Sequence, residues 1–150
     1  MNRGYIYLIS FNNTNDIYIG KTIQKNVYFR FKEHKKDSDS SVNLYVKTKL
    51  NGDWSNVYID IIDSIDMNED LTHLLNHPLN TLIYPQFDFK KYTSNYKTKQ
   101  DLLKHKLAYT EHFHIHNYKK DGKYNLINKK ITNGADAFEV YKFLNYTKSD

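Results

Sequence analysis

The chain has 150 residues, a formal net charge of +5 at pH 7 and no cysteine. This length suits a single domain, and the missing cysteines exclude disulfides and thiolate metal sites. No apolar run approaches the roughly 20 residues of a membrane helix, so we expect an intracellular protein with no membrane partner.

The first half of the chain alternates between strand and helix patterns. β-branched and aromatic runs flank a polar turn, which is typical of a hairpin. A helix follows, and then a second helix that Ser40 or Ser41 caps and that ends near Leu50. In chain order, the hairpin strands, the first helix and a third strand are predicted at residues 5–11, 16–21, 27–36 and 57–62.

The second half of the chain is less regular. Its one strong pattern is a helical spacing of leucine and aromatic residues over 98–118, and shorter helices are predicted at 67–76 and 136–144. We therefore expect an α+β fold, in which a small three-stranded antiparallel sheet is flanked by helices. The whole of 1–150 is predicted to be one domain, because no linker separates two.

Charge is distributed unevenly along the chain. The net charge is +5 over 1–50, −3 over 51–100 and +3 over 101–150. If both ends fold onto one face, that face attracts a polyanion such as nucleic acid. A solvated, lysine-rich surface explains the same numbers equally well.

Polar side chains with the properties of a phosphodiesterase site lie in the first part of the chain. Tyr7 and Tyr18 lie in the two hairpin strands, and Arg30 and His34 lie four residues apart on the first predicted helix. Helix positions i and i+4 share a face. The planar fork of arginine binds two phosphate oxygens, and histidine assists proton transfer. A tyrosine, with a reference pKa of about 10, needs a nearby cation to act as a base.

The order Tyr5-Ile6-Tyr7, Tyr18-Ile19-Gly20-Lys21 and Arg30-x-x-x-His34 resembles the GIY-YIG nuclease superfamily. This resemblance implies a three-stranded sheet flanked by helices, and DNA cleavage with one divalent cation, Mg²⁺ or Mn²⁺. The first motif has Tyr5 where the family has glycine, with Gly4 one place earlier.

The resemblance also assigns roles to individual residues. It implies that Glu111, on the long predicted helix, is the metal ligand, and that Gly20 makes a close turn after the second strand. The residues that it implies for the catalytic site are Tyr7, Tyr18, Lys21, Arg30, His34, Glu111 and Asn125. Basic residues around the first helix are expected to contact nucleic acid, namely Lys21, Lys25, Lys32 and Lys35.

Two segments fall outside the compact family pattern. Residues 64–97 form a long connection that looks like an insertion before the metal-ligand helix, and long loops of this kind are usually functional or disordered. Residues 134–146 are predicted to be a C-terminal helical extension.

Other interpretations of the same residues stay open. Arg30 is placed to form a surface ion pair with Glu33 or Asp37, and Glu111 to pair with Lys104 or His114. The run from His112 through His114 to His116, helped by His105, suggests zinc. We prefer the single carboxylate site, since positions i and i+2 do not share a helix face.

The predicted function is metal-dependent endonucleolytic cleavage of DNA by a single-metal, tyrosine-assisted mechanism. The alternatives are a non-catalytic nucleic-acid-binding module that keeps the fold, and a protein-interaction domain of a phage or virus. RNA remains a possible substrate.

Overall fold

The computed structural model describes residues 3–23, 25–69 and 99–129 of the chain. Within these ranges no helix is long and apolar enough to cross a membrane. In chain order the secondary structure is β1 (Arg3–Phe11), β2 (Asp16–Thr22), α1 (Val27–Lys36), α2 (Ser41–Lys49), β3 (Val57–Asp66), α3 (Lys99–Asp121) and β4 (Asn125–Leu126).

The strands form one mixed sheet in the order β3-β1-β2-β4. β1 is antiparallel to both β2 and β3, as predicted. β4 is parallel to β2 and pairs only with Asp16 and Ile17. The prediction of a three-stranded antiparallel sheet is therefore wrong in the number of strands, because a two-residue strand is too short to show any alternation in the sequence.

The β1–β2 hairpin fixes which side chains lie opposite each other. Its turn includes Asn13 at φ 64°, a left-handed conformation that asparagine adopts more readily than most residues. The hydroxyl of Thr14 donates to the carbonyl of Phe11 at 2.8 Å, which closes the turn. The resulting register places Tyr7 opposite Gly20.

Both faces of the sheet are covered by helices. Alternation along β1 sends Ile6 to the face under α3, and Tyr7 to the face under α1 and α2. The buried cluster on the α3 face consists of Ile6, Ile17, Ile19, Ile65, Met67, Leu103, Leu107 and Ile115. The buried cluster on the other face consists of Tyr7, Ile9, Phe11, Val42, Val46 and Val57.

α3 lies close against β1. A Cβ on Gly4 would lie 2.8 Å from Cδ1 of Leu107, so a larger residue there would force the Leu107 side chain to shift. The Nζ of Lys106 also forms an ion pair with Oε2 of Glu69 at 2.6 Å, just after β3. Both contacts fix the position of the helix that carries Glu111.

Parts of the sequence prediction lie outside the described residues. β3 extends through Asp66, so the first residues of the predicted insertion at 64–97 belong to the sheet. A turn follows, in which the amide of Glu69 donates to the carbonyl of Asp66 at 3.3 Å. The rest of that insertion, most of the helix predicted at 67–76, and the helical extension at 134–146 lie outside the described ranges.

Candidate active site

A cavity of about 360 Å³ receives side chains from the hairpin, α1 and α3. Six of the seven residues predicted for catalysis line it, although Glu111 lies far from the others in sequence. The lining residues are Tyr7, Tyr18, Lys21, Arg30, His34, Asp37, Asp39, Ser40, Ser41, Glu111, Asn128 and Lys129. A larger, more open hollow of about 690 Å³ beside Tyr118 and Tyr124 contains none of the predicted residues.

Gly20 makes room for the phenol of Tyr7. It lies inside β2, not in a turn after it, which corrects the prediction for this glycine. A Cβ built on Gly20 would lie 2.4 Å from both the Cζ and the Oη atoms of Tyr7. The two residues are register partners, so the tyrosine ring lies across the space that a side chain at residue 20 would fill.

Tyr7 and His34 form the buried centre of the cavity. Tyr7 is 1% exposed and His34 is 2% exposed. A hydrogen bond of 2.7 Å joins Oη of Tyr7 to Nε2 of His34. The opposite ring nitrogen, Nδ1 of His34, lies 2.6 Å from Oγ of Ser40. The imidazole is therefore held on both sides, and its ring orientation is fixed by these two contacts.

Burial decides the charge states of these two groups. It raises the pKa of Tyr7, and the neighbouring Tyr18 adds to the rise, while Arg30 opposes it. Burial, aided by Arg30, also lowers the pKa of His34 to about 4. At neutral pH the structure thus contains a neutral phenol hydrogen-bonded to a neutral imidazole.

Tyr18 completes the aromatic part of the site. Its ring centroid lies 6.3 Å from that of Tyr7 and 5.2 Å from that of His34, the latter in an edge-on arrangement. Burial and the charge of Glu111 raise the pKa of Tyr18, so it too is a neutral phenol at neutral pH.

Arg30 faces both the cavity and the solvent. Its Nη1 donates to Oε2 of Glu33 at 3.1 Å, the surface ion pair that the sequence had left open. The same guanidinium lies close enough to Tyr7 to lower the pKa of that phenol. The ion pair therefore does not remove Arg30 from the site. It holds one side of the guanidinium fork while the group lines the cavity.

Glu111 is a sheltered carboxylate, with its side chain 15% exposed. Burial raises its pKa, whereas the positive charges of Lys21 and then Arg30 oppose the rise. Its Oε1 lies 4.0 Å from Nε2 of His112, beyond hydrogen-bond length. Because burial and then Lys21 lower the pKa of His112, the two groups form no ion pair at neutral pH. The alternative pairing of Glu111 with Lys104 or His114 is not observed.

The donor set around Glu111 fits a hard divalent cation that keeps most of its water. Magnesium commonly binds one or two protein carboxylates and fills its remaining positions with water or substrate phosphate. The cavity offers the sheltered carboxylate of Glu111 together with space for water, and Asp37 and Asp39 also line it. The acidic and basic side chains that line the cavity are equal in number, so a bound cation would give the cavity a net positive charge. They are Asp37, Asp39 and Glu111, and Lys21, Arg30 and Lys129.

Asn125 does not line the cavity. Its Nδ2 donates to Oδ1 of Asp16 at 2.9 Å, at the end of β2 remote from Gly20. Asn128 lines the cavity instead: its amide accepts from the Ile19 N–H at 3.2 Å and donates to the Ile19 carbonyl at 2.7 Å. Asn128, three residues after the predicted Asn125, is therefore the asparagine that lines the cavity. The sequence offered a signal only in hindsight, as a second asparagine close to the first.

The predicted nucleic-acid-binding lysines divide into two groups. Lys21 lines the cavity, whereas Lys25, Lys32 and Lys35 do not. Nζ of Lys32 lies 5.8 Å from the ring centroid of Phe29. Nζ of Lys35 lies 5.0 Å from the Phe31 ring centroid and 5.5 Å from that of Trp54. Trp54 itself packs edge-on against Phe31, as part of the core periphery.

The described histidine side chains of α3 are those of His112, His114 and His116. Nε2 of His114 lies at hydrogen-bond distance, 2.8 Å, from Oδ2 of Asp63 on β3. Among the described residues, no group of three or more histidine, aspartate or glutamate side chains is arranged to hold a metal ion. The described part of α3 therefore gives no support to the zinc interpretation.

Sequence reasoning missed several residues of the cavity. Asp39 and Lys129 meet at its rim, where Nζ of Lys129 donates to the carbonyl of Asp39. Ser40 was identified only as a possible helix cap, yet it also contacts His34. These contacts depend on how the chain folds, and no local sequence pattern predicts them.

Comparison with known proteins agrees with the arrangement of the hairpin and α1. Residues 3–68 match the family model described as the GIY-YIG catalytic domain, which confirms the resemblance found in the motifs. No curated protein and no solved structure matches the chain significantly. The matched segment includes Tyr7, Tyr18, Arg30 and His34, and ends before α3.

Proposed function

We propose that the chain, whose residues 3–68 match the GIY-YIG catalytic domain model, is a metal-dependent endonuclease that hydrolyses DNA. The observation that carries the proposal is the meeting of Glu111 with Tyr7, Arg30 and His34 in one cavity. Glu111 lies on α3, outside the matched segment. A fold kept only for packing would have no need to shelter this carboxylate beside a guanidinium and two phenols.

The binding step falls to Arg30 and Lys21. Arg30 lines the cavity with a planar fork that suits two oxygens of a phosphate. Its charge stabilises the negative charge that develops on the phosphate during hydrolysis, an effect of roughly 10²–10³ in rate for one preorganised donor. Lys21 adds a second positive charge at the Glu111 side of the cavity.

The attacking water is oriented by Tyr7. Its Oη is fixed by His34 at 2.7 Å and lies near the positive charge of Arg30. The ring of Tyr18 lies beside that of Tyr7, with the centroids 6.3 Å apart. Burial raises the pKa of Tyr7 and keeps it a neutral phenol in the metal-free protein. Added positive charge nearby would lower this pKa, so that Tyr7 loses its own proton and can then accept one from water.

Glu111 would hold the divalent cation. When bound there, such an ion supplies Lewis-acid stabilisation of phosphate oxygens and lowers the pKa of neighbouring acids. The chain's own residues do the rest: Arg30 and Lys21 bind the phosphate, and Tyr7 orients the water.

The test is nicking of supercoiled plasmid by the purified full chain with Mg²⁺, Mn²⁺ or EDTA. A panel of linear, branched and single-stranded DNA and of RNA then identifies the substrate class. We expect cleavage with either metal ion, none with EDTA, and none above background for Glu111→Gln. Asp60→Asn is the matched control, because Asp60 lies on β3 away from the cavity.

Two outcomes would overturn the proposal. Glu111→Gln cutting as fast as the control would remove the metal assignment. Salt-sensitive DNA binding without cleavage by any metal would leave a nucleic-acid-binding module that has kept the fold.

A further inference from the structure

Ser40 contacts two different parts of the structure at once. It precedes α2 as its N-cap, and its Oγ accepts hydrogen bonds from the amides of Val42 at 3.2 Å and Asn43 at 3.4 Å. The same oxygen lies 2.6 Å from Nδ1 of His34. Ser40 is only 8% exposed, so these contacts form largely without competition from water.

Counting protons gives a direction to the contact with His34. A serine hydroxyl has one proton to donate and two lone pairs to accept with. The two helix amides occupy the lone pairs of Ser40, so its proton is left for Nδ1 of His34. If Nδ1–H of His34 instead donated to Ser40, Oγ would have to accept three hydrogen bonds. Its own proton would then have no partner among the described residues.

The direction of the hydrogen bond between Ser40 and His34 sets the direction of the one between His34 and Tyr7. His34 is neutral at neutral pH, since burial lowers its pKa to about 4. A neutral imidazole carries a single N–H, and which nitrogen holds it is set by the partner of the other nitrogen. With Nδ1 accepting from Ser40, the proton lies on Nε2, which is 2.7 Å from Oη of Tyr7.

We propose that Ser40 is a positioning residue: by donating to Nδ1 of His34, it fixes the tautomer in which Nε2–H donates to the phenol oxygen of Tyr7. The consequence for cleavage rests on the function proposed above. His34 then cannot take the phenol proton of Tyr7, which points into the cavity and leaves to solvent water there. Once that proton has left, Nε2–H of His34 stabilises the resulting phenolate.

The tautomer is measured directly by long-range ¹H–¹⁵N correlation of the imidazole rings, on the full chain without metal at pH 7. His34 is assigned from the signals missing in His34→Gln. We expect Nδ1 of His34 to give the signal of an unprotonated nitrogen and Nε2 that of a protonated one. A protonated Nδ1 in the wild-type protein would overturn the proposal without any cleavage assay.

Two substitutions of Ser40 separate its role at His34 from its role as a helix cap. Aspartate is a strong N-cap but has no proton to donate when ionised. Ser40→Asp should therefore keep α2 while moving the proton of His34 to Nδ1, whereas Ser40→Thr should keep both the cap and the wild-type tautomer. Circular dichroism and urea unfolding check that the fold is retained.

Cleavage then tests whether the tautomer matters. On the substrate found for the wild type, we expect Ser40→Asp to cut at least about tenfold more slowly and Ser40→Thr to stay within about threefold of wild type. A changed tautomer with an unchanged rate would refute the positioning role. The expected tautomers in a protein that cuts nothing would refute the nuclease proposal and leave the hydrogen-bond polarity standing.

Discussion

Acid should destabilise this protein partly through one buried imidazole, that of His34. Its pKa in the folded state is about 4, because it is buried and lies beside Arg30. Asp37 and Glu33 oppose this effect only in part. In the unfolded chain the pKa of His34 returns to about 6.5. Between pH 6.5 and pH 4 the unfolded state therefore binds a proton at His34 that the folded state does not bind, and this favours unfolding. The contribution of His34 to the free energy of unfolding is fully present above pH 6.5 and is lost as the pH falls toward 4.

The size of the effect follows from the two pKa values. Between pH 7 and pH 5 the free energy of unfolding should fall by about 2 kcal/mol because of His34 alone. The assay is urea unfolding at half-unit steps of pH, with His34→Gln as the reference protein. The other six histidines and the carboxylates are common to both proteins, so the difference between the two curves isolates the contribution of His34. Parallel pH curves for the two proteins would show that the imidazole is not held neutral, and would refute the reasoning.

Three further predictions concern the walls of the cavity and the helix behind it. Gly20→Ala should displace the phenol of Tyr7, costing about 1–3 kcal/mol in urea unfolding and slowing plasmid nicking, because the new Cβ would lie 2.4 Å from that ring. If this variant matches wild type in both measurements, the close approach of the ring is wrong. Arg30→Lys should keep DNA binding but cut at least about tenfold more slowly, since lysine lacks the fork that binds two oxygens; equal single-turnover rates would show that charge alone suffices. Lys106→Met should lose about 1 kcal/mol of stability with its ion pair, while the nicking rate stays near that of wild type; a large loss of nicking at full stability would contradict its structural role.

The sequence predicted the parts of the structure that have a local pattern. The hairpin, α1, α2 and the long helix all appear close to their predicted positions, since each shows strand alternation or helical spacing over at least seven residues. The order of the motifs also identified Tyr7, Tyr18, Arg30 and His34 as candidate site residues, and all four line the cavity.

What escaped prediction depends on contacts between distant segments. β4 exists only because residues after α3 return to the edge of β2, which no two-residue pattern can indicate. The same return brings Asn128 to the cavity, because its amide forms hydrogen bonds with the backbone of Ile19. The function of Gly20 is equally non-local: it is required by the ring of a residue on the neighbouring strand.

The central claim is that Tyr7 is a reacting group of a nuclease and not only a core residue. Its most direct test is the single-turnover cleavage rate of Tyr7→Phe on the best DNA substrate with saturating Mg²⁺. Tyr58→Phe is the control, because Tyr58 is 50% exposed on β3 and lies outside the cavity. We predict a loss of at least about 100-fold for Tyr7→Phe, with DNA binding and fold unchanged. If Tyr7→Phe cuts as fast as Tyr58→Phe, the phenol takes no part in the chemistry and the proposed mechanism is wrong.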